Sequence, residues 1–201
     1  MLSFDQIKKI LMNKFSKENI LYNDQYFQIT VDPLNILKTI KELKEDSKLQ
    51  FDQLIDLTAI DYPSRSKRFD IVYILLSMRE NKRIVVKSLL EEGEKIETIT
   101  SIHKSANWYE RECYDLFGIH FLNHPDLRRI MTDYNFEGHP LRKDFPLTGH
   151  TEVRYDDLEK KVIYEPVKLT QEYRNFDYMS PWEGFDNKLI GDEKSEKDEE
   201  N

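Results

Sequence analysis

Glu110, Arg111, Glu112 and Asp115 crowd into one short stretch, and His120, His124, His139 and His150 follow, interleaved with Asp126, Asp133 and Asp144. Two carboxylates could divide acid and base roles between them, and imidazoles beside an aspartate are the ligand types of a zinc site. The spacing favours a plainer use. Glu112 and Asp115 could share a helix face, but Arg111 precedes Asp115 by the separation of an ordinary intrahelical ion pair. His120-Phe121-Leu122 is strand-like, so His120 and His124 would not converge, and neither a His-Glu-x-x-His helix nor paired cysteines accompany them. His124-Pro125 and His139-Pro140 read as hydrogen-bonding turn residues before a rigid corner. Arg128-Arg129 and Arg142-Lys143 could grip a phosphate. With Asp126, Asp133 and Asp144 close by, they are expected instead to pair within the loop or across an interface, where a guanidinium fork meets a carboxylate. The competing expectation is a stand-alone enzyme in which Glu112, Asp115, His124 and His139 converge on metal-dependent or acid/base chemistry.

Composition narrows the classes further. Cys113 is the only cysteine, which excludes an intramolecular disulfide and the four-thiolate ligand set of an iron–sulfur cluster. Its spacing from Tyr109, Leu116 and Phe117 places it on an apolar helix stripe, as an inert buried thiol. Neither a Walker-type phosphate loop nor a dinucleotide fingerprint occurs among the 6 glycines, so no site for ATP, NAD or flavin is expected. A net charge of −8 opposes general binding to nucleic acid or to anionic lipid. The longest apolar run, Ile71 to Leu76, falls far short of the ~20 residues that cross a bilayer. MLSFDQIKKILMNKF reads as an ordinary helix rather than a targeting signal.

The elements that must position these residues suggest an α+β fold, a small mixed or antiparallel sheet packed with helices, then a long ordered loop and an extended C-terminal tail. Ser3 and Gln6 form a capping box ahead of a helix over Phe4 to Phe15. Two strand-like strings flank Asn23-Asp24, and Asp32-Pro33 opens a second helix striped by Leu34, Ile36, Leu37, Ile40 and Leu43. Leu54 to Ile60, Phe69 to Leu76 and Ile84 to Leu90 read as strands, with a turn around Asn81. Ile96, Ile99 and Ile102 have the spacing of a short helix, and Trp108 to Phe117 that of another which Gly118 ends. These pieces predict an α+β domain over 1–118 and a loop segment over 119–150. A partner-docking tail over 151–186 is predicted next, since Tyr155, Tyr164, Tyr173, Phe176, Tyr178, Trp182 and Phe185 lie among charges without lasting period and need a surface to anchor on. The apolar-free 187–201 is expected to be disordered.

The run E-R-E-C-Y-D-L-F-G-I from Glu110, H-P-D-L-R-R-I-M-T-D-Y from His124 and G-H-P-L-R-K-D-F-P from Gly138 resemble the signature of one family. It is that of the "C" or 30-kilodalton-type subunit, also called the NADH dehydrogenase subunit 9 type, of proton-pumping NADH:ubiquinone oxidoreductase, respiratory complex I. D-L-T-A-I-D-Y-P, R-F-D-I-V-Y, E-V-R-Y-D, Y-E-P-V and R-N-F-D-Y-M-S-P-W-E extend the resemblance over roughly Phe51 to Gly184. Cys113-Tyr114 and Leu116 depart from it conservatively. Similar subunits occur in hydrogenase and plastid-type complexes, but the long tail is most like the respiratory form.

The resemblance implies a peripheral-arm subunit that itself holds no cofactor, while other subunits hold the flavin mononucleotide and iron–sulfur clusters that pass electrons from NADH to ubiquinone. Its partners would be chiefly the quinone-site D-type subunit, with the B-type and I-type iron–sulfur subunits nearby. The chain would reach the membrane only through the complex, on the matrix side of the mitochondrial inner membrane or the cytoplasmic side of the bacterial inner membrane. On this reading Glu110, Arg111, Glu112, Asp115, His124, Asp126, Arg128, Arg129, Asp133, Arg142, Lys143 and Asp144 lock the loop or its interface. Tyr164, Tyr173, Phe176, Tyr178 and Trp182 anchor the tail.

Overall fold

A computed structural model describes residues 2–15, 19–22, 26–169 and 171. The chain divides at His150 and Thr151 into two compact units. The first opens with α1 (Phe4–Lys14), whose capping box forms as expected: the Ser3 hydroxyl accepts from the Gln6 amide and the Gln6 side chain from the Ser3 amide. Ile7 and Leu11 bury its inner face. β1 (Ile20–Tyr22) and β2 (Tyr26–Val31) follow, and the Asn23-Asp24 turn lies outside the described residues.

Asp32 accepts from the Leu34 amide at 3.0 Å, but what it starts is a single 3₁₀ turn, Pro33–Asn35, ahead of α2 (Ile36–Glu45). The tighter turn breaks the phase of the helical stripe. Leu34 is therefore 84% exposed instead of joining Ile36, Thr39, Ile40 and Leu43 on the buried face. Lys14 and Asp46, 2.5 Å apart, join the ends of the two helices.

β3 (Gln53–Asp61), β4 (Phe69–Ser77) and β5 (Lys82–Leu90) complete a mixed sheet in the order β1-β2-β5-β4-β3. Only β2 and β5 run parallel; the other neighbours are antiparallel. Asn81 supplies the turn at φ 50°. Phe27, Ile29, Ile71, Tyr73, Ile84 and Val86 meet the helices in one continuous core.

Ile96 and Ile99 are buried, but not on a helix. Lys95–Glu97 is a strand, β6, paired in parallel with β7 (His120–Leu122), and turns follow it. A three-residue spacing of isoleucines fits a strand and turns that dip repeatedly into the same core, so periodicity alone misassigned it. α3 (Ala106–Phe117) ends at Gly118 with φ 77°, the left-handed cap that its sequence position implied. This helix lies along β3. Tyr109 Oη donates to the Ile55 carbonyl at 3.0 Å, and the Cys113 thiol approaches that of Leu57 at 3.8 Å. α3 thus occupies carbonyls that an open strand edge would offer to another chain.

The second unit begins with a hairpin, not with chain lacking strand period. β8 (Thr151–Asp156) and β9 (Lys161–Pro166) pair antiparallel, and Asp156 accepts from the Leu158 and Glu159 amides to close the turn. Val153, Tyr155, Val162 and Tyr164 do alternate. The turn residues Asp157-Leu158-Glu159-Lys160 carry none of the Gly, Pro or Asn-Gly punctuation that marks hairpins, which hid the pairing. Tyr173, Phe176, Tyr178, Trp182 and the expected acidic disordered end lie outside the described residues.

Candidate functional site

The signature loop departs from the C-terminal end of α3 and returns to it. The last four carbonyls of a helix have no partner within it. Here those of Tyr114, Asp115, Leu116 and Phe117 accept, in turn, from the Gly118 amide (2.9 Å), His139 Nδ1 (2.8 Å), the Leu141 amide (3.1 Å) and Arg142 Nε (2.6 Å). His139-Pro-Leu-Arg142 is therefore a cap supplied from twenty-odd residues downstream, and Arg142 and Arg129 also place positive charge at the negative end of the helix dipole. Gly118 is required twice over. Its backbone is left-handed, and a Cβ there would stand 2.6 Å from His139 Nε2 and 2.7 Å from Arg142 Nη2.

Asp115 is the central anchor. Fully buried, its Oδ2 accepts from the amides of Ile130 (2.9 Å), Met131 (2.7 Å) and Thr132 (2.9 Å). Its Oδ1 accepts from Arg129 Nη1 (2.7 Å) and the Thr132 hydroxyl (2.5 Å). Burial acts to raise its pKa, but the Thr132 hydroxyl and the three amides outweigh it and hold the carboxyl far below the usual range. The expected Arg111–Asp115 pair does not form. Arg111 instead donates to the carbonyls of Arg128 (3.1 Å) and Arg129 (3.3 Å), because the loop backbone folds over its helix face and offers fixed acceptors there.

Glu110 and His124 make a second tie. Glu110, also fully buried, accepts from the Ile99 amide at 2.8 Å and from the Thr98 hydroxyl, so it binds α3 to the chain leaving β6. Burial pushes its pKa up to about 7, against the opposing pull of those two donors. His124 Nε2 lies 3.8 Å from its carboxylate, but donates to the Asn107 carbonyl (3.2 Å) while Nδ1 accepts from the Asp126 amide (3.1 Å). The imidazole is thus neutral with its proton on Nε2, and burial lowers its pKa. This is the turn-residue role expected of a His-Pro pair.

A third tie joins the loop to Asp61 and Arg68, residues of the family-like runs to which the sequence assigned no role. Asp61 at the end of β3 takes both ends of the Arg68 guanidinium (2.7 and 3.0 Å) and the Lys143 amide (2.7 Å). The Arg68 hydrogen bond leads the forces that lower its pKa. Arg68 also reaches Asp144 (2.9 Å) and Glu92 (3.1 Å), Glu92 reaches Arg142 (2.9 Å), and both guanidiniums lie 5.2 Å from the Phe69 ring. Lys143 thus enters through its backbone amide.

Asp115, Glu110, Arg111, Arg129, Arg142, His124 and Asp144 all make contacts around the loop, with partners that differ from those suggested by proximity in sequence. Arg128 does pair with a neighbouring acid, Asp126, at 2.9 Å on the surface. Asp133 contributes its carbonyl, which accepts from the Phe136 amide at 2.9 Å, and Glu112 is half-buried on α3. Cys113 is buried, and its thiol pKa is pushed well up by burial and then by the charge of Glu112. Asp115, His124 and His139 are each engaged in backbone contacts, and among the described residues no group of three or more His, Cys, Asp or Glu side chains could hold a metal ion. Asp61, Arg68, Glu92, Thr98 and Thr132 are the site residues missed in sequence; Asp61, Arg68 and Thr132 lie inside the family-like runs and Glu92 and Thr98 outside them, but no residue type or spacing pointed to their roles, which depend on distant segments meeting the loop. The anchored loop holds Met131, Tyr134 and Leu147 at 63, 73 and 83% exposure.

A profile of the family described as "Respiratory-chain NADH dehydrogenase, 30 Kd subunit" matches residues 29–151, which contain all three ties. The chain is 58% identical over 166 residues to the C-type subunit of NADH-quinone oxidoreductase from Ruegeria sp. (strain TM1040), covering 83% of each chain. It is 52% identical over 185 residues to the protein of that name from Mesorhizobium japonicum, covering 92% of this chain and 91% of the relative. Its fold is shared, at 22% identity and a TM-score of 0.60, with a chain in the structure of the membrane-bound sulfane sulfur reductase, an archaeal respiratory membrane complex; the match covers 71% of this chain and 85% of that one. Among the described residues, no helix is long and apolar enough to cross a membrane.

Proposed function

Because the chain belongs to the family of the respiratory-chain NADH dehydrogenase 30 Kd subunit, we propose that it is a structural, non-redox subunit of the peripheral arm of an NADH-quinone oxidoreductase. The single observation that carries this reading is the loop of residues 123–149. Asp115 of α3 holds the loop's amides while His139 and Arg142 of the loop hold the helix's last carbonyls, and apolar side chains are left outward. A surface held at several points keeps its shape under load. Such a surface suits a chain that fixes the separation of a quinone-site subunit and a subunit bearing the terminal cluster.

On this proposal the neighbours are the D-type quinone-site subunit first and the B-type and I-type iron–sulfur subunits next. The chain carries no flavin, cluster or metal of its own and meets the membrane only through them, on the cytoplasmic side of a bacterial inner membrane or the matrix side of a mitochondrial one. The test is a native gel of gently solubilised membranes from cells with a tagged chain, run beside a strain lacking the gene. Co-migration of the tag with NADH-quinone reductase activity, loss of that activity in the deletion strain, and no stoichiometric metal or chromophore in the isolated chain are expected. Turnover or a tightly held ion in the isolated chain, or normal activity without the gene, would overturn the proposal.

A further inference from the structure

Glu110 and His124 face each other 3.8 Å apart, and neither side chain reaches solvent. Each is held by neighbours on its own side of the gap. His124 Nε2 donates to the Asn107 carbonyl, while the Thr98 hydroxyl and the Ile99 amide donate to Glu110. Thr98, Asn107, Asn123 and Pro125, which touch the pair or flank it in sequence, also line a cavity of about 580 Å³. The imidazole stands on a segment with little else to fix it. Asn123, Pro125 and Asp126 are exposed, and Asn123 takes the left-handed backbone, at φ 61°, that asparagine tolerates better than most residues.

Loss of the Glu110 proton puts a charge where nothing matches it. Among the described residues His124 is the one ion-pair partner within reach of the carboxylate, and it is a poor one. An imidazolium uses both ring nitrogens as donors, whereas Nδ1 here accepts from the Asp126 amide. The surrounding groups do not help. Arg111 and Asp126 act on the ring with opposite sign, Tyr73 of β4 and Cys113 of α3 are held neutral by burial, and Lys104 and Glu97 in the cavity wall oppose each other. Water is the remaining source of solvation. Swinging the imidazole out admits it at the cost of one hydrogen bond between segments, whereas withdrawing Ile99 would strip a fully buried side chain from the core.

We propose that His124 is a lid over Glu110 that opens as the pH rises from about 6 to about 8, freeing the first tie of the loop while the tie at Asp115 stays closed. The contrast follows from the sign of each group's shift. Asp115 is lowered, so it is ionised and keeps its donors throughout that range. Glu110 is raised, from an ordinary 4.5 to about 7, so the closed form holds a proton that the open form gives up. With those two values the ratio of open to closed lid rises about tenfold between pH 6 and pH 8. The loop is thereby loosened at one end only. This pH response goes beyond the structural-subunit reading and does not depend on it.

The test labels the full chain with diethyl pyrocarbonate, which acylates neutral imidazole, and reads each histidine by mass spectrometry. Glu110→Gln keeps the shape and removes the ionisation, so the titration of His124 itself and the reagent's own pH dependence cancel between the two proteins. The ratio of His124 labelling in wild type to that in the variant should rise about tenfold from pH 6 to pH 8. His139, bonded to the Asp115 carbonyl, should label equally in both. Within the wild type alone, His124 should gain on His139 as the pH rises, a comparison that needs no variant. A His124 ratio that stays constant over the range would overturn the lid. So would a parallel rise at His139, which would mark a general loosening of the fold.

Discussion

Replacing Glu110 with Gln should stabilise this protein at pH 8 far more than at pH 5. Glu110 is fully buried, and its nearest cationic candidate, His124, is a neutral imidazole that gives its Nε2 proton to Asn107. The other titratable groups that feel it, Tyr73 on β4 and Cys113 on α3, are held neutral by burial. Folding therefore carries the carboxyl from an ordinary value of 4.5 to about 7. A group that binds its proton more tightly when folded adds stability below the unfolded value and loses it as pH rises through the folded one. The difference corresponds to roughly 3 kcal/mol above pH 7, at ~1.36 kcal/mol per tenfold change in proton affinity. A glutamine has nearly the same shape, can still accept from the Ile99 amide, and has no charge to desolvate. Urea unfolding of both proteins at half-unit steps from pH 5 to pH 8 measures the effect, and other titrating groups cancel in the comparison. The variant's advantage should open across that range to roughly 3 kcal/mol. A gap that stays constant with pH, or one that favours wild type at pH 8, would refute the assignment of Glu110 as a buried carboxyl without a countercharge.

Asp115→Asn should cost about 3–5 kcal/mol at pH 7 in the same assay, since it strands Arg129 and turns an acceptor of five hydrogen bonds into a group with one acceptor. Its folded pKa is lowered, so this stabilisation is present above the unfolded value near 3.9 and is lost as pH falls below it; the variant should titrate flat where wild type does not. Gly118→Ala should destabilise by more than the ~1 kcal/mol of a left-handed alanine, because the new methyl displaces His139 and Arg142, and proteolysis within residues 123–149 should speed up with it. Arg142→Lys should lose about 1–2 kcal/mol in thermal melts, as an ammonium cannot cap Phe117, hold Glu92 and lie over Phe69 together.

Local signals carried most of the fold. The Ser3 capping box, the Asn81 turn, the strands around it and the Gly118 cap all express short-range chemistry, and each appears where its residues imply. The failures share another cause. The 3₁₀ turn after Asp32, the strand at Ile96 and the hairpin at Thr151 were decided by pairing with distant segments or by turns without their usual residues. The same divide runs through the site. The types of the signature residues pointed to pairing between charged groups, whereas Arg111 pairing with carbonyls and Arg129 with Asp115 depends on which backbone comes to lie over α3.

Asp115 sits in the last turn of α3, where the helix dipole disfavours a carboxylate, and its burial adds to that cost. Such a residue is stable only if the loop delivers donors to it. The loop, in turn, has little regular structure through which to satisfy its own amides, and those of Ile130, Met131 and Thr132 find their acceptor in Asp115. Each is thus unfavourable without the other, so helix end and loop form as one cooperative piece. The ties at His124, at 129–132, at His139 and at 141–143 divide a long loop into short spans, and the freedom of a span falls with the chain between its fixed points. A loop held in this way presents Met131, Tyr134 and Leu147 with little conformational entropy left to lose on contact. Variants that cut a tie should therefore weaken association even though they touch no exposed residue. That separates a preorganised docking surface from a loop that takes its shape only on binding.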